Sequence, residues 1–78
     1  MWQLREVKLV KSGQLRMWRG RHVGEDGVFL VLHPYKIPIP GSDWTDDGWY
    51  VFQDGRQQWV FEADIEDDSD VLEVVNEG

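Results

Sequence analysis

The chain has 78 residues, a net charge of −7 and no cysteine, which excludes disulfide bonds and thiolate metal ligands. This length suits a single domain, residues 1–78, whose small core leaves little room for an enzyme cleft. The longest apolar run has five residues and cannot span a bilayer, and the N-terminal segment lacks the apolar region of a signal peptide. We therefore expect a cytoplasmic domain that does not use a membrane.

The charge is divided unevenly along the chain. Residues 1–24 hold six basic residues and one acidic residue, whereas residues 25–78 hold two basic and fourteen acidic residues. One interpretation is that the first strands lie beside the last ones and the charges neutralise each other across the sheet. The other is a two-faced surface that steers an oppositely charged partner.

The first half of the chain alternates apolar residues with glycine-containing turns, as short strands do. Residues 28–32 are continuously apolar, which predicts a central strand. Pro34 is expected to end it, because proline cannot donate a hydrogen bond to a sheet. The predicted elements of this half are strands at 5–10, 14–23 and 28–32, with turns at 11–13 and 24–27.

A proline-rich loop is predicted at about residues 34–47. It holds all three prolines of the chain and carries Tyr35 and Trp44. A loop of this length is unusual in a compact domain, so it is either functional or a strand that the pattern does not resolve.

The second half contains the strongest local signal, the dipeptide Asp54-Gly55 between alternating apolar residues, which predicts a tight β-hairpin. Its strands are expected at 49–53 and 57–61. An acidic turn at 64–70, with a single helical turn, is expected to lead into a last strand at 71–75.

These elements predict an all-β fold, a small five- to six-stranded SH3-like or Tudor-like barrel with a short helical turn before the last strand. Closing the sheet would also remove exposed edges. The predicted core comprises Leu15, Met17, Val28, Leu30, Val51, Trp59, Phe61, Ile65 and Val74.

Three segments, residues 49–55, 59–66 and 72–77, resemble small uncharacterised tailed-phage proteins with SH3-like barrels. The shared pattern is a strand ending in Asp-Gly, a strand with Trp-Val, an acidic Asp-Ile-Glu turn and a Leu-Glu-Val-Val-Asn-Glu ending. The proline-rich loop departs from the short connector of that type. The resemblance implies the barrel and a phage origin, and it carries no activity and no site residues.

A protein-interaction module is the favoured function, with a host or phage protein as partner. Aromatic anchors on a semi-rigid loop cost little entropy to immobilise, which favours Tyr35 and Trp44. An acidic ridge would speed the encounter. The ridge residues are Asp64, Asp67, Asp68 and Asp70.

Two alternatives involve nucleic acid. A basic strand with an aromatic residue is typical of nucleic-acid binders, although a net charge of −7 opposes it; its residues are Arg16, Trp18, Arg19 and Arg21. Conversely, the acidic surface could mimic nucleic acid and block a host DNA- or RNA-binding protein. A third hypothesis is an aromatic cage for a methylated cation, built from Trp44, Trp49, Tyr50 and Trp59.

No catalytic chemistry is predicted. The sequence shows no nucleophile–base pair, no phosphate-binding glycine loop and no diagnostic metal-ligand spacing. His22 and His33 are the two histidines, and each is expected to be solvent-exposed or hydrogen-bonded. We therefore expect neither an enzyme nor a cofactor.

Overall fold

The computed structural model describes residues 2–20 and 27–74, with Val74 described by its backbone only. The fold is all-β, as predicted, with one short helix. The elements are β1 (Trp2–Arg5), β2 (Leu15–Trp18), β3 (Val28–Pro38), β4 (Thr45–Gln53), β5 (Arg56–Phe61), α1 (Glu62–Asp68) and β6 (Ser69–Val74).

All six strands form one antiparallel sheet in the order β1-β6-β2-β3-β4-β5. Strands β2 to β5 are a meander, and α1 returns the chain so that β6 pairs with β2. Within the described residues β1 and β5 do not pair with each other, so the sheet is open between its two outer strands. A single open sheet is therefore the architecture, where the sequence predicted a closed barrel.

The sheet has one covered face, here called the inner face. Phe29, Val31 and Val51 form its core with Ile65 from α1 and Val10 from the segment 6–14. All five side chains are at most 5% exposed, so α1 and the segment 6–14 both lie over this face. The opposite, outer face has no helix packed on it among the described residues.

The predicted core is confirmed in part. Met17, Val51 and Ile65 are buried, and the side chains of Val28, Leu30 and Trp59 are half-buried. Leu15 and Phe61 are instead 36% and 46% exposed, and the side chain of Val74 lies outside the described residues. The alternation of strand residues was correct, but hydrophobic residues occupy both faces and the wrong face was taken as core for some of them.

The predicted loop at 34–47 is wrong over most of its length. Residues 34–38 belong to β3 and pair with residues 45–49 of β4, so only residues 39–44 connect the strands. The turn-forming residues in this stretch therefore belong to a long β-hairpin.

Strand β3 continues through Pro34 and Pro38 because neither position needs an N–H. Its register with β4 shifts between Val31 and His33, as at a β-bulge. Such an extra residue exchanges which of the following positions direct their N–H toward β4 and which direct it away. Among the described residues, β2 pairs with β3 only at residues 28–30, so the far side of β3 is then an open edge. Pro34 and Pro38 are four residues apart, so their backbone nitrogens face the same side of β3. That side is the open edge, where no neighbouring strand needs an N–H donor.

The other elements agree with the sequence to different degrees. Asp54 and Gly55 adopt positive φ angles of 53° and 75°, which confirms the hairpin turn. The first strand lies at Trp2–Arg5 rather than 5–10, where it pairs with β6, and β2 ends at Trp18. The predicted turn at 24–27 lies largely outside the described residues, as do His22 and Arg21.

Candidate functional site

Residues 35–48 form the two-stranded end of the β3–β4 hairpin, here called the arm. Its ladder runs from the Tyr35–Gly48 pair to the Pro38–Thr45 pair at the tip. All residues from His33 to Thr45 are solvent-exposed, because among the described residues the ribbon is paired only with itself and, through β4, with β5. The large exposed side chains of the arm are Tyr35 (48%), Ile37 (37%), Ile39 (37%) and Trp44 (77%).

The tip of the arm holds the backbone of Trp44 while leaving its indole in solvent. The N–H of Ile39 donates to the Trp44 carbonyl at 3.1 Å, and the N–H of Ser42 donates to the Ile39 carbonyl at 3.2 Å. The Trp44 N–H donates to Ser42 Oγ at 3.0 Å. Gly41 permits the turn with a φ of 76°. Trp44 therefore has a hydrogen-bonded backbone and an exposed aromatic side chain.

A group of five aromatic residues lies on the outer face where the arm joins the sheet, and we call it the outer aromatic cluster. Tyr50 lies between two neighbours, with ring centroids 5.1 Å from His33 and 5.4 Å from Tyr35. Trp59 and Phe61 meet edge to face at 4.7 Å. The register places Tyr50 opposite both His33 and Trp59, so all five side chains share one face.

Trp59 lies flat across the backbone of Gly48. A Cβ at Gly48 would lie 2.2 to 2.6 Å from three atoms of the indole, so only glycine fits beneath the ring. The indole Nε1–H donates to the carbonyl oxygen of Tyr35 at 2.9 Å. Trp59 was predicted to lie in the core; a glycine inside a strand is the signal that indicates such a close approach.

The predicted aromatic cage does not form. Trp44 lies at the tip of the arm, and Trp49 packs against the core on the inner face. Only Tyr50 and Trp59 of the four lie together. His33 takes part in the outer aromatic cluster, and its Nδ1 lies 3.3 Å from the Pro34 carbonyl oxygen.

The acidic ridge lies on α1 and the start of β6, and two of its carboxylates are already paired. Asp67 forms an ion pair with Lys8 at 3.3 Å, and Asp70 forms one with Arg19 at 3.0 Å. Asp64 and Asp68 form no ion pair with the described residues. The ridge therefore offers fewer free charges than the sequence suggests.

These pairs belong to a wider set that joins the basic N-terminal strands to the acidic C-terminal ones. Arg5 pairs with Glu73 at 3.2 Å across β1 and β6, and Arg19 also pairs with Glu6 at 3.2 Å. Hydrogen bonding to Asp70 is the main cause that raises the pKa of Arg19. The uneven charge of the sequence is thus partly neutralised within the molecule.

Arg16, predicted as a nucleic-acid contact, is fully buried on the inner face. Its guanidinium donates to Ser69 Oγ at 2.9 Å, to the Val7 carbonyl at 2.8 Å and to Gln14 Oε1 at 3.0 Å. It also reaches the carbonyl oxygens of Ile65 and Ser69 at 3.2 and 3.3 Å. Burial lowers the pKa of Arg16. This arginine joins the segment 6–14, α1 and β6, and no nucleic acid can reach it.

The remaining residues of the predicted nucleic-acid strand do not form a free basic surface either. Trp18 stacks on Phe29 with ring centroids 4.5 Å apart, and its Nε1–H donates to Gln53 at 3.3 Å. Arg19 is held by Asp70 and by the Asp67 carbonyl. Arg21 lies outside the described residues.

A shallow apolar groove of about 300 Å³ lies beside the Asp54 turn. Its lining residues are Leu15, Val28, Phe29, Leu30, Phe52, Gln53 and Asp54. Leu15, Leu30 and Phe52 are neighbours in register on the outer face. The apolar surface of that face therefore continues from the outer aromatic cluster toward β2.

The comparisons with known proteins add no identification. No protein-family model, curated protein sequence or solved structure matches this chain. In the described part of the chain, no group of three or more metal-binding side chains comes together. Within the same residues no helix is long and apolar enough to cross a membrane.

Proposed function

We propose that this chain is a non-catalytic protein-interaction module, a phage-type accessory protein that docks onto a host or phage protein through its arm. The observation that carries the proposal is the 77% exposure of Trp44 on a hydrogen-bonded tip. A large aromatic side chain held in solvent on an ordered backbone is suited to become the buried anchor of an interface.

The arm itself supports this interpretation. A two-stranded ribbon is of marginal stability in water, yet this one displays Tyr35, Ile37 and Ile39 as well as Trp44. Covering these side chains would remove apolar area from water at little entropic cost, because the ladder already orders the backbone.

The proposal of an SH3-like phage protein rests on the resemblance of the sequence. In the structure, β2 to β5 form a meander, and β6 follows the helix α1 and pairs with β2. Strand β1 adds a sixth strand at the edge beside β6.

The charges favour a basic protein partner over nucleic acid. A net charge of −7 repels a polyanion, and Arg16 and Arg19 are occupied within the molecule. Asp64 and Asp68 remain available to attract a basic surface, an effect screened beyond about 8 Å at physiological salt.

The test begins with affinity capture by the immobilised full chain, followed by binding kinetics with the captured protein. Trp44→Ala is expected to raise the dissociation rate, at a cost of about 2 kcal/mol or more. The matched control, Trp2→Ala, removes a tryptophan that is also exposed (52%) but lies on β1. Asp64→Asn with Asp68→Asn is expected to lower mainly the association rate.

Two results would contradict the proposal. One is unchanged kinetics for Trp44→Ala, which would place the interface away from the arm. The other is tight binding of DNA or RNA that falls steeply with salt, which would make the chain a nucleic-acid protein.

A further inference from the structure

The outer face around the arm carries aromatic rings and almost no charge. The register assigns to this face positions 33, 35 and 37 of β3, positions 46, 48, 50 and 52 of β4, and positions 57, 59 and 61 of β5. Asp46 is the one carboxylate among them, and none is lysine or arginine. Lys36 and Arg56 lie at positions of the opposite face. The face therefore combines π-electron density with a negative charge and no cation of its own.

Trp59 gives this face a fixed, flat surface. The indole starts on β5, crosses β4 over Gly48 and ends with its N–H on the Tyr35 carbonyl of β3. One side of the ring rests on the sheet and the other is turned away from it. Phe61 packs against the indole in an edge-to-face contact. The ring is ordered before any ligand arrives, which lowers the entropic cost of binding.

We infer that the outer aromatic cluster binds the guanidinium group of an arginine on the partner protein, stacked on Trp59, with Asp46 contributing the opposite charge. This inference rests on the proposed function and names the chemistry of the partner. A planar guanidinium matches a flat indole by stacking as well as by cation–π attraction, whereas the ammonium of lysine offers cation–π attraction without stacking.

The charges of the molecule decide against other occupants. A nucleobase could stack on Trp59, but its phosphates would meet a chain of net charge −7. A second copy is a poor source of the arginine, because two chains of net charge −7 repel each other. Among the described arginines, Arg5 and Arg19 are paired with their own acids and Arg16 is buried, so only Arg56 could serve. A basic partner protein supplies the cation without these conflicts.

The test is a titration of the isotope-labelled full chain, followed by NMR, with a capped Gly-Arg-Gly-Arg-Gly peptide. The control peptide carries citrulline, which keeps the planar group and removes the charge. The arginine peptide is expected to shift the Trp59 indole N–H and the Gly48 amide saturably, with at least fivefold tighter binding than the citrulline peptide. The Trp44 indole signal is expected to stay unchanged.

Three outcomes of this titration overturn the inference. They are equal binding of the citrulline peptide, shifts confined to α1, and larger shifts of the same signals with an oligothymidylate. The comparison of the two peptides uses the native chain, so it decides the matter even if a variant fails to fold.

Variants then separate this inference from the proposed function. Trp59→Leu is expected to abolish the arginine-specific shifts, whereas Trp2→Leu retains them. If the captured partner binds Trp59→Leu normally but not Trp44→Ala, the inference fails and the proposed function stands. If the arginine peptide binds at Trp59 but the partner binds Trp44→Ala with unchanged kinetics, the arginine site stands and the proposed arm interface fails.

Discussion

Trp59 and Gly48 are packed so closely that neither residue can be understood alone. The indole covers the glycine backbone so completely that a Cβ at position 48 would come within 2.2 Å of the ring. Gly48 is buried in consequence, although it lies on the outer face. The pair fixes the floor of the outer aromatic cluster and ties β5 to the arm.

The first prediction follows from this contact. Gly48→Ala is expected to displace the indole and break its hydrogen bond to Tyr35, lowering the free energy of unfolding by about 1–3 kcal/mol. Urea denaturation measures this change through the midpoint and the slope.

A double-mutant cycle shows whether that loss comes from the indole. In a Trp59→Leu background, Gly48→Ala is expected to cost much less, because the ring that it displaces is gone. Equal costs in both backgrounds would mean that Gly48 matters for a reason other than Trp59.

The second prediction concerns Arg16. Arg16→Ala removes a donor from the carbonyl oxygens of Val7, Ile65 and Ser69, although the Ile65 carbonyl still accepts from the Ser69 hydroxyl, and it opens a cavity in the inner face. We expect a loss of about 3 kcal/mol or more in the free energy of unfolding. Arg16→Lys is not expected to restore it, because an ammonium cannot reproduce the planar fork of donors.

A surface arginine provides the control for this prediction. Arg56 is exposed and forms no ion pair with the described residues, so Arg56→Ala is expected to change stability by less than about 0.5 kcal/mol. Similar losses for the two variants would refute a special role for the buried guanidinium.

The third prediction separates the arm from the core. Trp44→Ala is expected to leave the free energy of unfolding within about 0.5 kcal/mol of wild type, since its side chain is 77% exposed. Trp18→Ala removes a ring stacked on Phe29 and is expected to cost about 3–5 kcal/mol. Thermal or urea unfolding of the two variants provides the comparison. Marked destabilisation by Trp44→Ala would mean that the tip supports the fold.

The fourth prediction concerns the carboxyl of Glu66 on α1. Desolvation raises its pKa above the ordinary 4.5, and the charge of Glu62, one helical turn earlier, raises it further. Glu62→Gln is therefore expected to lower the pKa of Glu66 without returning it fully to 4.5. Carboxyl-carbon NMR titration measures it, with Glu73→Gln as a distant control.

The sign of the associated pH dependence follows from the direction of the shift. A carboxyl with a raised pKa binds its proton more tightly in the folded chain than in the unfolded one. Its contribution to stability is therefore present below pH 4.5 and falls as the pH rises through the folded pKa. Glu62→Gln is expected to flatten that fall, and a steeper one would contradict the assignment.

Short sequence patterns predicted the turns and helical segments whose structure depends mainly on neighbouring residues. Asp54-Gly55 needs only its own backbone to form a turn, and the acidic segment before β6 forms the helical turn that was expected. The arm was missed because Pro34 reads as a strand breaker. Its tolerance depends on an open sheet edge, which is a property of the tertiary structure.

The candidate site was also predicted only where the role of a residue does not depend on tertiary structure. Trp44 and Tyr35 were predicted as partner-binding anchors; both are exposed, and their role in binding stays a prediction. Arg16 was taken as a surface contact because arginine is rarely buried, and its partners come from three distant parts of the chain. The outer aromatic cluster was missed because alternation shows that two faces exist without showing which one α1 covers.

The hydrogen bonds of Arg16 also set an order on the folding reaction. Its acceptors at Ile65 and Ser69 lie 49 and 53 residues along the chain, so they arrive only after the long loop between them closes. Until then the guanidinium keeps its water, and we expect its native contacts to form on the late side of the folding barrier. Loss of this side chain should therefore act mainly on the unfolding rate, which makes Arg16 a determinant of how long the native state persists.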